Sequence, residues 1–221
     1  MGFVVTVNVI NLKKTMRNNV LKLLVVYLLM GTPLSFSTVQ ASQTPKSIGE
    51  VYQGGIVFYI APNGKHGLIA ALTDQSGSVP WSNVSVFNSG YKVTEATRDG
   101  VYAGAKNTEI IVKKQLSDNR SGYFAAIVAA NYKVQGNGVT PCTATNSHTN
   151  ATCYDDWYLP SKEELNLLYR QRAVVGGLDK AGYWSSTEDN SIYADYQDFK
   201  NGSKVNYNKD YALGVRAIRA F

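Results

Sequence analysis

The residues of this sequence that are best suited to chemistry are basic side chains near its C-terminus. They are Lys200, Lys204, Lys209, Arg216 and Arg219. Ammonium and guanidinium groups make charge-assisted hydrogen bonds to sulfate and carboxylate groups. This pattern predicts contacts with an acidic polymer, with an affinity that falls as salt concentration rises. Asp195, Asp198 and Asp210 lie among these residues, so ordinary solvated charges are the alternative interpretation.

Three tryptophans divide into one candidate ligand contact and two candidate core residues. Trp81 follows a stretch rich in serine and glycine, and the whole segment 74–91 is predicted to be a loop. Trp81 is therefore expected to be exposed and able to stack on a sugar. Trp157 and Trp184 lie in short apolar, aromatic stretches, and such residues are typical of a buried sheet or core.

Cys142 and Cys153 are the only two cysteines. An even number of cysteines at short spacing in an exported chain favours a disulfide. A zinc pair is the alternative, but only His148 lies between them, and zinc needs four ligands. We expect a disulfide, no bound metal and no other cofactor.

The motifs of common enzyme classes are absent from the sequence. It contains no His-Glu-x-x-His helix motif and no nucleophile elbow. Ser89 and Lys92 have the serine-x-x-lysine spacing of some acyl enzymes, but that pattern needs a helix, and Gly90 argues against one. The sequence therefore predicts a protein that is not an enzyme and has no catalytic residues.

The N-terminus resembles a secretory signal peptide. Arg17 and Lys22 precede an apolar run at 23–30, and Ala41 ends a segment typical of a signal-peptidase site. We expect cleavage after Ala41, with residues 1–15 superfluous and residues 42–47 forming a flexible lead. An uncleaved membrane anchor is the alternative, although the apolar run is shorter than the about 20 residues that span a bilayer.

Net charge argues against binding to nucleic acid. The whole chain carries a formal charge of +6. Four of the basic residues lie in the predicted signal peptide, and removing it leaves 18 basic against 16 acidic residues, a net of +2. A nucleic-acid-binding domain usually carries a larger basic excess, so we expect no nucleic-acid partner and no membrane contact after cleavage.

The clearest local structural signal lies at 155–169. Trp157 and its neighbours favour an extended segment, and Pro160 disfavours helical geometry in the residue before it. Ser161 is then a favourable N-cap, and Glu164 three residues later completes a capping box. This pattern predicts a short amphipathic helix that Gly176 and its neighbouring glycine end. Its role is interpreted as structural.

The rest of the sequence predicts short strands with few helices. Apolar runs at 56–60 and 68–72 predict a hairpin. Helices are predicted within 97–116 and 123–132. Further strands are predicted at 192–199, 204–207 and 211–221, and a short aromatic strand or turn at 183–187. The last strand is expected to pair with the first strands near Ile56. The expected class is α+β, with small antiparallel sheets, two to three helices and long loops.

Four motifs, taken in order, resemble a known family. They are Gly54-Gly55-Ile56-Val57-Phe58-Tyr59, Asp156-Trp157-Tyr158-Leu159-Pro160-Ser161, Tyr183-Trp184-Ser185-Ser186 and Val215-Arg216-Ala217-Ile218-Arg219. Together they resemble the Lcl C-terminal domain family, named for the C-terminal domain of a bacterial collagen-like adhesin. The resemblance covers residues 48–221 and implies a single domain with a C-type-lectin-like fold, akin also to the formylglycine-generating enzyme.

The resemblance also implies an exported bacterial protein of the periplasm, cell surface or medium. The adhesin that names the family binds sulfated glycosaminoglycans. This chain lacks the collagen repeat of that adhesin, the calcium signatures of sugar-binding C-type lectins and the late cysteines of the formylglycine enzyme. We therefore expect a non-catalytic module that binds acidic glycans. The alternative is a structural or protein-interaction module of the cell envelope, because tyrosine-rich loops are typical of protein interfaces.

Overall fold

The computed structural model describes residues 46–83, 92–117, 122–143 and 151–221. The predicted signal peptide and its cleavage site after Ala41 lie outside these residues, as does His148. Thr44–Phe221 group into one compact unit. In the described part of the chain, no helix is both long and apolar enough to cross a membrane.

The first sheet contains the predicted N-terminal hairpin. Its strands are β1 (Val51–Tyr52), β2 (Gly55–Ile60), β3 (Gly67–Ala71) and the C-terminal β11 (Ile218–Ala220), in the order β1-β2-β3-β11 with every pair antiparallel. Every residue of β3 is buried. Strand β3 therefore joins the N-terminal hairpin to the C-terminal strand β11.

The second sheet has the order β4-β10-β7-β8-β9. Its strands are β4 (Ser76–Pro80), β7 (Gly182–Glu188), β8 (Tyr193–Asp198), β9 (Lys204–Asn208) and β10 (Ala212–Val215). Only the pair β10–β7 is parallel. The hairpin predicted from the turn at 201–203 is confirmed as β8–β9. A third, two-stranded sheet pairs β5 (Val134–Gln135) with β6 (Cys153–Tyr154).

Two strand predictions were wrong. The segment 74–91, predicted as a loop, contains β4, which pairs with β10 despite a polar, glycine-containing sequence. The final segment, predicted as one strand, forms two strands in different sheets. Its last part does join the N-terminal hairpin as expected, since Ile218 pairs with Ala70 of β3, which lies opposite Ile56. The chain changes sheets at Arg216, whose buried side chain is hydrogen-bonded to the backbone of the first sheet at Ala71.

The described residues form four helices, against the two to three expected. They are α1 (Ala103–Gln115), α2 (Ala125–Ala130), α3 (Lys162–Arg170) and α4 (Arg172–Val175). The predicted central helix is confirmed as α3, and Gln171 separates it from the one-turn α4. With small antiparallel and mixed sheets and few helices, the domain is α+β, as predicted.

Candidate functional site

The motif residues around Ser161 form a buried structural centre. The Ser161 Oγ accepts a hydrogen bond from Glu164 N at 3.2 Å, and the Ser161 N–H donates to Glu164 Oε2 at 2.8 Å. The predicted capping box is therefore confirmed. The carbonyl of the buried Pro160 accepts from Ser186 N at 2.7 Å, so the segment before α3 is fixed to β7.

Glu164 does more than cap its own helix, which the sequence did not indicate. Its Oε1 accepts from Tyr102 N at 2.7 Å and from the Tyr158 hydroxyl at 3.0 Å, and its Oε2 also accepts from Gly104 N at 3.0 Å. Burial raises the pKa of the Glu164 carboxyl, although these hydrogen bonds act in the opposite direction. The carboxyl thus joins the first turns of α1 and α3.

The backbone at Tyr102 and Gly104 allows the start of α1 to approach Glu164 closely. Tyr102 has a left-handed backbone with φ of 70°, an unfavourable state for a bulky residue. At Gly104 a Cβ atom would lie 2.4 Å from Glu164 Oε2. A side chain at this position would therefore displace the carboxylate, so the close approach of α1 to Glu164 requires glycine.

The four family-like motifs converge in space. The segment before α3 joins β11 through Tyr158 N–H to Ile218 O at 2.8 Å, with the reverse bond at 3.0 Å. Ile218 pairs in turn with Ala70 of the N-terminal hairpin. Trp157 and Trp184 are buried, as predicted, and their indole N–H groups donate to Tyr154 O and Val79 O, respectively. These motifs therefore build the core.

The predicted disulfide is confirmed. Cys142 and Cys153 are bonded, with Cα atoms 6.0 Å apart and a sequence separation of 11. Cys153 belongs to β6, and Cys142 N donates to Lys133 O, next to β5. The disulfide thus closes a loop at the short third sheet.

Lys209, predicted to contact a ligand, lies inside the protein. Its ammonium group is buried and donates to Glu188 Oε1 as well as to the carbonyls of Lys92 and Ser191. Burial lowers the pKa of Lys209, and the Glu188 carboxylate opposes this effect. Because its donors are committed inside the protein, Lys209 is not an exposed ligand contact, contrary to the prediction.

Arg216 and Arg219 are also internal residues. Arg216 pairs with Asp74 at 2.8 Å and donates to the Gly177 carbonyl. Arg219 makes a two-point contact with Asp156, at 2.7 and 2.9 Å. Both arginines are buried, so the prediction that they are ligand contacts on the surface was wrong. The sequence showed their charge but not their partners, which are distant in the chain.

The prediction that Trp81 is exposed was also wrong. Its ring is fully buried and its indole N–H donates to Ser185 O at 2.8 Å. The ammonium group of Lys209 lies 4.7 Å from the ring centre. Strand β4, which ends at Pro80, carries Trp81 into the core, and a sugar cannot stack on it there.

The predicted lysines that remain exposed are Lys200 and Lys204. The turn between them packs on the end of α3, where a Cβ atom at Gly202 would lie 2.7 Å from the Tyr169 ring. The guanidinium carbon of Arg172 lies 4.0 Å from the centre of the same ring. We call Arg172, Lys200 and Lys204 the basic corner, because Arg172 stacks on Tyr169 and the two lysines flank the turn that packs on the same ring. Its members come from two segments that only folding brings together.

Two clefts lie on a different part of the surface. They have volumes of about 430 and 650 Å³ and share Thr73, Asn131 and Tyr132 in their walls. The larger one is bordered by the highly exposed Val139 and by Cys142 of the disulfide, and the exposed Tyr123 borders the smaller one. Their walls are mainly uncharged, with Asp74 in the smaller cleft and Lys133 in the larger one.

A third cleft, about 480 Å³, is lined by Trp157 and several carboxylates. Each carboxylate is ion-paired with its own cation: Glu109 with Lys106, Asp155 with Lys133 and Asp156 with Arg219. In the ranges that the structure describes, no group of three or more His, Cys, Asp or Glu residues could hold a metal ion. Each of these acids thus already has a cation as partner.

Comparison of the chain with protein-family models and with curated proteins finds no match to either.

Proposed function

We propose that this protein is an exported, non-catalytic binding module that recognises acidic, glycosaminoglycan-like glycans through the basic corner. The observation that carries this proposal is that the turn between the exposed Lys200 and Lys204 packs, at Gly202, on the Tyr169 ring that also carries Arg172. Arg172 and the two lysines come from separate segments that meet where this turn packs on the end of α3. A sulfated chain can contact several of them at once, which a single exposed lysine cannot achieve.

The aromatic ring gives the basic corner a fixed geometry. Tyr169 lies against Phe199, with ring centres 5.4 Å apart, while Arg172 stacks on it and donates one hydrogen bond to the Tyr169 carbonyl at 3.0 Å. A guanidinium group has five N–H donors, so further donors of Arg172 can reach a sulfate or carboxylate. This positions a planar, two-point donor for an anionic group.

The electrostatic attraction of the corner is moderate. Glu163 Oε2 lies 3.5 Å from Lys204 Nζ, and Asp198 Oδ1 accepts a hydrogen bond from the backbone N–H of Lys200. These carboxylates reduce the positive potential without removing it. We therefore expect binding to a highly charged polymer that weakens strongly as salt increases.

Heparin affinity chromatography tests this proposal. The purified protein should be retained at low salt, and Lys200→Gln/Lys204→Gln should elute at clearly lower salt. The control is Lys113→Gln/Lys114→Gln, which removes two exposed charges from the end of α1 and should elute with the parent protein. The proposal would be contradicted if the parent protein passed through the column at low salt. It would also be contradicted if the elution salt of the control variant fell as much as that of Lys200→Gln/Lys204→Gln.

We also propose that the chain belongs to the Lcl C-terminal domain family and has its C-type-lectin-like fold. Support comes from the joining of the four motifs into one core through Ile218, Tyr158 and Pro160. The disulfide supports a location in the periplasm, at the cell surface or in the medium, since such bonds persist in oxidising compartments.

A structural or protein-interaction module of the cell envelope is the second candidate function. The mainly uncharged clefts at Thr73, with Tyr123 and Val139 exposed beside them, favour it. Aromatic residues are enriched in protein interfaces. If the protein is such a module, Tyr123→Ser and Val139→Ser should each abolish capture of an envelope protein and leave heparin retention unchanged. Retained capture in both variants would count against it.

A further inference from the structure

Strand β9 has one side that no other strand of the described chain covers. It lies at the end of the five-stranded sheet and pairs only with β8. Asp198 N donates to Ser203 O at 2.9 Å, and Lys209 N donates to Ile192 O at 3.0 Å. Because backbone groups alternate along a strand, these bonds place the backbone N–H and C=O of Asn206 on the side away from β8.

The usual protection of a sheet edge is weak here. Exposed edges are commonly protected by charged side chains, particularly lysine. The only charged residue of β9 is Lys204, and Glu163 of α3 lies 3.5 Å from its ammonium group. Val205 and Tyr207 are 41% and 37% exposed. Within the described ranges, the strand therefore presents backbone groups that no other strand pairs with, together with mainly uncharged side chains.

We propose that β9 pairs antiparallel with β9 of a second copy of this chain, with the two-fold axis at Asn206. In this register, Val205 lies opposite Tyr207 of the other copy, and Lys204 lies opposite the uncharged Asn208. Pairs of an aromatic and a β-branched residue stabilise a sheet, and no like charges are directly opposed. Two-fold symmetry produces each of these pairs twice, which favours a second copy over an unrelated strand.

Tyr211 extends the same surface. Its ring centre lies 4.2 Å from that of Tyr207, and its side chain is 52% exposed. A pair of five-residue strands is nevertheless small compared with the roughly 1,200 Å² that stable interfaces bury. We therefore expect a weak dimer whose population rises with protein concentration.

Proline at position 206 provides a selective test by sedimentation velocity. Asn206→Pro removes the outward N–H and leaves the bonds to β8 intact, whereas Asn206→Ala keeps it. Both variants lose the hydrogen bond from the Asn206 side chain to Asp189. We expect the parent and Asn206→Ala to dimerise alike, and Asn206→Pro to associate at least about tenfold more weakly with unchanged circular dichroism. A monomeric parent or a dimeric Asn206→Pro would overturn the proposal.

If the proline variant does not fold, cysteine cross-linking tests the pairing of two β9 strands. At the axis, position 206 faces itself with Cα atoms about 5.5 Å apart, within the range for a disulfide. Asn206→Cys should form a disulfide-linked dimer on a non-reducing gel, and Lys204→Cys, displaced from the axis, should not. Equal cross-linking of both variants, or capture of another protein by monomeric Asn206→Cys, would contradict pairing of two β9 strands.

Discussion

The ammonium group of Lys209 and the carboxylate of Glu188 form an ion pair in the protein interior, where their side chains are only 3% and 1% exposed. Glu188 also accepts hydrogen bonds from the backbone N–H groups of Thr94 and Glu95. The pair thus joins β7, the residue after β9 and the segment that precedes α1. A lysine predicted to bind a ligand instead holds three parts of the fold together.

Replacing Lys209 should lower the stability of the domain. Lys209→Met leaves the buried Glu188 without its cation and should lower the free energy of unfolding by about 3–5 kcal/mol. Lys200→Met, at an exposed position, should change it by less than about 0.5 kcal/mol. Urea denaturation of both variants measures the contrast. Similar small effects in both would show that the internal pair contributes little.

Glu164 should give stability a pH dependence opposite in sign to that of a typical salt-bridged carboxylate. Burial raises its folded-state pKa above the ordinary 4.5, so the folded protein binds this proton more tightly than the unfolded chain. The corresponding stabilisation is fully present below the unfolded-state pKa, and it declines as pH rises towards the folded-state pKa.

Glu164→Gln tests this linkage. The amide cannot accept all four hydrogen bonds, so at neutral pH the variant should be less stable by roughly 1–3 kcal/mol. Because other carboxyl groups titrate in both proteins, their effects cancel in the difference. That difference, measured by urea denaturation, should widen as pH falls from 7 towards 4.5. A difference independent of pH would contradict a raised pKa.

Removal of the disulfide should destabilise the domain without unfolding its core. Cys142→Ser/Cys153→Ser opens a loop with a sequence separation of 11, for which the chain-entropy model gives about 3 kcal/mol. Thermal unfolding of this variant should shift to lower temperature, and the parent protein should show the same shift in a reducing agent. The double variant itself should not respond to the reductant, which provides the control.

Arg172 should contribute more to heparin binding than its charge alone. Arg172→Lys keeps the charge but loses the planar two-point donor stacked on Tyr169, so its elution salt should fall part of the way towards that of Arg172→Gln. Arg170→Lys is the matched control on a neighbouring exposed arginine. If Arg172→Lys eluted with the parent protein, only charge at this position would matter.

Local sequence signals identified much of the framework because they act over a few residues. Ser161 and Glu164 are three residues apart, so the capping box depends mainly on helix geometry. The turn at 201–203 specified the β8–β9 hairpin in the same way. The spacing of Cys142 and Cys153 likewise indicated their bond. For these elements, the sequence determined the structure with little help from distant residues.

Only the tertiary structure decided which charges remain available for binding. Lys209, Arg216 and Arg219 look like surface residues in sequence, yet each meets an acid supplied by a distant segment. Conversely, Arg172 and the turn that carries Lys200 meet at one ring only after the β8–β9 turn packs on α3. The sequence by itself determined the α+β class, the β8–β9 hairpin and the capping box of α3. Burial and long-range pairing, which depend on the packing of the whole chain, decided which basic side chains are internal and which form the candidate site.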